Sequence, residues 1–126
     1  MNPGDVELEH ARALMRSGRP PETIDWSREG SADAVATGWA LKFACYETWN
    51  TAPALAGRAA ALLAGLRDAH TIPVLGALAA WTESISLLGA GRMESALTSL
   101  DAAAAGFESL GDTAHAAQTQ VPKLMA

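Results

Sequence analysis

Between Gly91 and Asp112 the chain reads G-R-M-E-S-A-L-T-S-L-D-A-A-A-A-G-F-E-S-L-G-D. Met93, Ala96, Leu97, Leu100, Ala103, Ala104, Phe107 and Leu110 recur there at i, i+3, i+4 and i+7. That spacing puts them on one stripe of a long helix. Glu94, Ser95, Thr98, Ser99, Asp101 and Glu108 fall on the opposite face. Gly91 stands before the helix and Gly111 after it. Gly111 suits the left-handed residue that ends a helix, and Asp112 the N-cap of the next. The stripe alternates alanine with larger apolar residues. Small residues let a second helix approach closely, and larger ones fill the space beside them. The segment is therefore expected to be one helix of a stack.

The rest of the chain repeats this grammar. Val6 to Met15 reads as a first helix, with either Val6, Ala13 and Leu14 or Leu8, Ala11 and Met15 facing inward. Pro20 and Pro21 stop it, because neither can continue a helix. Glu22 to Gly30 is irregular, and Trp26 is expected to pin it onto the first helix pair. Ser31 is the expected N-cap of a helix from Ala32 to Trp49, with Val35, Trp39, Phe43 or Lys42, Tyr46 and Trp49 on its apolar face. Pro53 then opens a helix carrying Leu55, Ala59, Leu62, Leu63 and Leu66. A proline is tolerated in a first turn because the amide hydrogen it lacks would be unpaired there. Pro73 opens another, with Val74, Leu75, Leu78, Trp81 or Thr82, Ile85 and Leu88. A last helical stretch starts at Thr113, its stripe Ala114, Ala117, Val121, Leu124 and Met125. Pro122 is expected to end or kink it.

Composition narrows the function classes. The 126 residues fit one domain and are 49% hydrophobic, which excludes global disorder. A net charge of -5 leaves no electrostatic basis for binding nucleic acid through its phosphates. One cysteine, Cys45, excludes an internal disulfide and points to a reducing, cytoplasmic setting. The alanine-rich run from Ala52 to Ala69 is too short and too charged to span a bilayer. The first residues lack the basic and apolar regions of a signal peptide.

Two helix pairs emerge, from about Ala32 to Arg67 and from about Ile72 to Leu110. Their starts lie about 40 residues apart, the period of a helical-hairpin repeat. With Ala96 five positions after Gly91, then Leu100 and Ala103, the second pair resembles a tetratricopeptide repeat (TPR). The positions where that family tends to carry Trp, Leu-Gly and Tyr hold Ala80, Glu83-Ser84 and Leu87. The segments Ile24–Arg28, Trp39–Lys42 with Cys45-Tyr46, Ala80–Thr82 with Gly91–Met93, and Gln118–Met125 together resemble the N-terminal region of bacterial TPR proteins that end in a CHAT, or caspase-like, domain. The resemblance implies an all-α fold of antiparallel hairpins in a right-handed solenoid. Residues 1–30 would form a cap and 31–126 the repeats of a longer chain. The peptidase Cys and His would lie beyond Ala126.

Candidate chemistry is sparse. Cys45 sits mid-helix between Ala44 and Tyr46, where a small buried thiol is common. Among His10, His70 and His115 the nearest to a ligand-like pair is His10 with Glu7, and a single pair reads as a solvated helix face, so no metal or cofactor is expected. No glycine-rich stretch has the context of a phosphate cradle. The expected function is a non-enzymatic interaction scaffold that docks a partner protein, a peptide or its own peptidase half. Stacked hairpins expose a concave face lined by first helices. Trp39, Lys42, Tyr46, Thr82 and Glu83 lie on such helices and are the candidate contact residues. Val121, Leu124 and Met125 form a terminal apolar stripe; pairing of that stripe with a second copy is the alternative.

Overall fold

In a computed structural model the protein is described over residues 4–27 and 33–125, with side chains through Lys123. Six α-helices and two short 3-10 turns occur among the described residues, with no strand. The helices are α1 (Asp5–Arg16), α2 (Ala34–Thr48), α3 (Pro53–Ala69), α4 (Pro73–Gly89), α5 (Met93–Ser109) and α6 (Thr113–Thr119). The 3-10 turns are Pro21–Thr23 and Val121–Met125.

The boundaries follow local chemistry. Pro53 and Pro73 occupy the first turns of α3 and α4. Gly91 and Gly111 both adopt φ 76°, the left-handed conformation that costs a glycine little. After each, the next amide closes the same ring. Arg92 N–H donates to Leu87 O and Asp112 N–H to Phe107 O, both at 2.9 Å. These are twin Schellman caps on α4 and α5. Asp112 caps α6 by accepting from His115 N–H at 3.0 Å. The cap of α2 is Asp33, whose Oδ1 accepts from Val35 and Ala36 at 3.0 and 3.2 Å. It replaces the expected Ser31, which lies outside the described residues. The last helix stops at Thr119, and the chain passes into a 3-10 turn around Pro122.

Each helix packs on its sequence neighbour, and α2 also packs on α4. α1 covers α2 and α3. The core runs through all of them: Leu14, Leu41, Leu62, Leu63, Leu66, Leu75, Leu78, Leu100 and Phe107 are almost fully buried. α2 has neighbours on several sides, so Thr37 through Leu41 are buried without interruption. On α1 the inward residues are Ala11, Leu14 and Met15, whereas Val6 is 80% exposed. Trp26 is buried and lies against α3 at Gly65, pinning the loop to the first pair as expected. Arg58 of α3 donates to Leu14 O at 3.1 Å and to Met15 O at 3.4 Å, tying α3 to the last carbonyls of α1.

The expected stripes fail at the ends. Met93 and Leu110, at the two ends of the predicted stripe of α5, are 42% and 43% exposed. On α6, Ala114 and Ala117 are exposed, and Ala116 and Thr119 are buried instead. A seven-residue alanine-rich helix carries no periodic signal strong enough to assign its face.

Close approach is what the small residues permit. A Cβ on Gly106 would sit 2.9 Å from Ala77 Cβ, and one on Gly89 2.6 Å from Trp49 O. A backbone carbonyl has little room to move. Gly89→Ala is therefore expected to lower stability by about 1–3 kcal/mol. Gly76, inside the same helix, has nothing within 4 Å of its Cβ position. Gly76→Ala should instead raise stability by about 0.5–1 kcal/mol through helix propensity. Urea unfolding followed by circular dichroism measures both, and the reverse order would mean that α2 and α4 do not meet at Trp49 and Gly89.

Candidate docking groove

α2 and α4 run side by side in the same direction. Gly38 meets Leu75 and Leu78, Lys42 meets Trp81, and Trp49 meets Gly89. Each helix therefore turns a matching face to the same side. Lys42, Tyr46 and Trp49 occupy i, i+4 and i+7 on α2, and Trp81, Ile85 and Leu88 do so on α4. Between these faces lies a groove of about 440 Å³. Met93 of α5 bounds it on one side, and Gln118, Val121 and Pro122 close it from the C-terminal segment. The lining is mostly apolar, with few polar groups, which is the composition of a binding cleft.

The residues expected to contact a partner separate into three groups. Lys42, Tyr46 and Val121 meet in this groove. Trp39, Thr82 and Glu83 do not line it. Trp39 is 6% exposed and packs edge-to-face on Trp81, with ring centroids 6.3 Å apart. Thr82 is fully buried, and its hydroxyl has no hydrogen-bond partner among the described residues. Glu83 is exposed but follows Trp81 by two positions, about 200° around the helix and away from the groove. Leu124 and Met125 belong to the closing 3-10 turn, and their side chains lie outside the described residues. The sequence missed Ile85, Leu88, Trp49 and Met93 as groove residues, since apolar spacing alone cannot separate a cleft wall from a core.

The end of the groove near Lys42 abuts an aromatic cluster. Trp81 also packs edge-to-face on Phe107 at 5.7 Å, and His115 of α6 lies 4.9 Å from Trp39. Such aromatic pairs contribute about 0.5–1.5 kcal/mol each beyond area burial. Asp112 holds the His115 ring through Nδ1. The Lys42 ammonium stands 4.0 Å from the Trp81 ring centroid and 5.8 Å from that of Tyr46. An ammonium over a ring face is attracted by the ring quadrupole, more strongly where water is excluded. Burial pulls the Lys42 proton affinity below its ordinary value.

Cys45 points the other way, into the core. Its Sγ reaches Ala56 O at 3.5 Å and Thr82 O at 3.7 Å. Burial pushes the thiol up to about 12. A nucleophilic cysteine needs the opposite shift. Native protein is expected to resist a thiol reagent at pH 8 and to react at once when unfolded. Rapid labelling of the folded chain would mean that this part of α2 opens readily. No group of three or more His, Cys, Asp or Glu among the described residues could hold a metal ion, and no helix there is long and apolar enough to cross a membrane.

Asp112 has a pH-dependent role. The bond to the His115 ring, and then the bond from the His115 amide, hold its carboxyl below the usual range. A depressed carboxylate contributes stability that is complete above its unfolded value, near pH 4, and is lost as pH falls through the folded value. The stability gap between the natural protein and Asp112→Ala should therefore hold steady above about pH 4 and shrink below it. Denaturant midpoints across that range test this; a gap that does not narrow in acid would mean the capping carboxylate is not the source.

Compared with known protein families, curated proteins and solved structures, the chain finds no match in any of the three. The chemistry of the groove is therefore read from its own residues.

Proposed function

We propose that the protein is a TPR-like interaction module without catalytic activity. Its groove between α2 and α4 receives a segment of a partner protein. One observation carries this reading. Tyr46, Met93 and Val121 are 61%, 42% and 53% exposed, and all three border the one groove. Isolated exposed apolar side chains are ordinary, but several converging on a concave apolar surface mark an interaction site.

The repeat-like layout supports the same reading. α2 and α4 are the first helices of two successive hairpins whose starts lie about 40 residues apart. They touch each other as well as their own partners. In a solenoid built this way the first helices line the concave side. The partner segment belongs either to a separate protein or to a caspase-like half of the same chain. A second copy docking through the Val121 segment is the competing occupant.

A photo-crosslinking residue in place of Tyr46 tests the proposal against one in place of Glu108, an exposed position on α5. Crosslinks to a defined partner segment are expected from position 46 and not from 108. Equal crosslinking at both would remove the groove as the docking surface. A crosslink from position 46 to another copy, with a concentration-dependent sedimentation coefficient, would assign the groove to self-association.

A further inference from the structure

We infer that the segment received by the groove is apolar and carries an aspartate or glutamate, whose side-chain carboxylate meets the Lys42 ammonium over Trp81. The inference rests on the docking reading above and names the chemistry of the occupant.

Lys42 supplies the one charge among the ten groove-lining residues, and no carboxylate lines the groove with it. Its ammonium faces two aromatic rings, with no ion pair or hydrogen bond to it among the described residues. Three carboxylates nearby in the fold are held by other groups. Glu47, five positions along α2, takes both Arg12 Nε and Nη2, with contacts down to 2.8 Å. Asp101 is held by Lys123, and Asp112 by His115. A half-buried cation loses hydration that ring faces replace only in part. An arriving carboxylate would complete its coordination, in a setting where a charge-assisted bond is stronger than in water.

The position of Lys42 adds a direction. It begins the α2 face, opposite Trp81 at the start of the α4 face, so the apolar wall extends from it toward Trp49 and Leu88. An occupant would place its acidic residue first or last and its apolar residues along the wall. The exposed rim favours a segment lying across the groove over a chain end inserted in it. A segment lying along the groove covers Tyr46, Met93 and Val121 together, since all three border it. Two turns of an amphipathic helix fit the length of the α2 face, about 10 Å at 1.5 Å per residue.

Selection from a display library of random peptides about twelve residues long, fused at their C-termini so that no terminal carboxylate is free, tests this. The natural protein should enrich apolar sequences with Asp or Glu at one end of the apolar stripe. A selected peptide, acetylated and amidated, should lose about tenfold in affinity when its acidic residue becomes Gln or Asn. The loss should fall to about twofold or less on Lys42→Met and persist on Lys42→Arg. Apolar peptides without acidic enrichment, or a loss unchanged on Lys42→Met, would overturn the carboxylate inference and leave the docking reading standing. No enrichment over a Tyr46→Asp, Val121→Asp double variant would remove the docking reading itself. Should Lys42→Met lose its helical circular dichroism, Lys42→Gln takes its place, and the comparison of acidic and amide peptides on the natural protein still decides.

Discussion

Close contact between helix backbones governs this molecule. Gly38, Gly89 and Gly106 stand where a neighbouring helix leaves no space for a side chain. Ala77 lies against Gly106, and Ala40, Ala44, Ala56, Ala59, Ala96 and Ala103 are nearly or fully buried in the same core. Helices so close exchange many weak dispersion contacts, which sum to a large stabilisation in a dense interior. The leucines and Phe107 then fill the gaps that small residues leave.

That closeness also creates the groove. α2 and α4 touch through Gly38 at one level and through Gly89 at another. Their larger residues cannot all fit between them. Trp39 and Leu41 turn into the core, while Tyr46 and Trp49 are left on the open side with Ile85 and Leu88 opposite. The C-terminal segment adds a wall, tied down by Gln120 to Leu100 O and by Lys123 to Asp101. The concave surface is a consequence of how the hairpins nest.

The interior and the groove differ in how they treat polarity. In the core, Cys45 is held neutral, and Ser84 and Thr119 return their hydroxyls to backbone carbonyls of their own helices. At the groove, Lys42 keeps an ammonium against aromatic faces. A site that keeps a charge at the edge of an apolar surface differs chemically from a packed interior, even where the residue types overlap.

Sequence alone determined the six helices, the proline starts of α3 and α4, the glycine stops of α4 and α5, and the central part of the buried stripes of α3 through α5. These depend on short-range rules of spacing and capping, written within a few residues of where they act. It placed Lys42 and Tyr46 among the contact candidates because they lie on the first helix of a hairpin, and Val121 because it belongs to a terminal apolar stripe. Only the tertiary structure decided that Trp39 and Thr82 are interior, that Glu83 looks away, and that Ile85, Leu88 and Met93 complete the cleft. Core and groove walls share one apolar periodicity. What separates them is whether another helix happens to cover them, and that is fixed by contacts among α2, α4, α5 and the C-terminal turn, tens of residues apart in the chain.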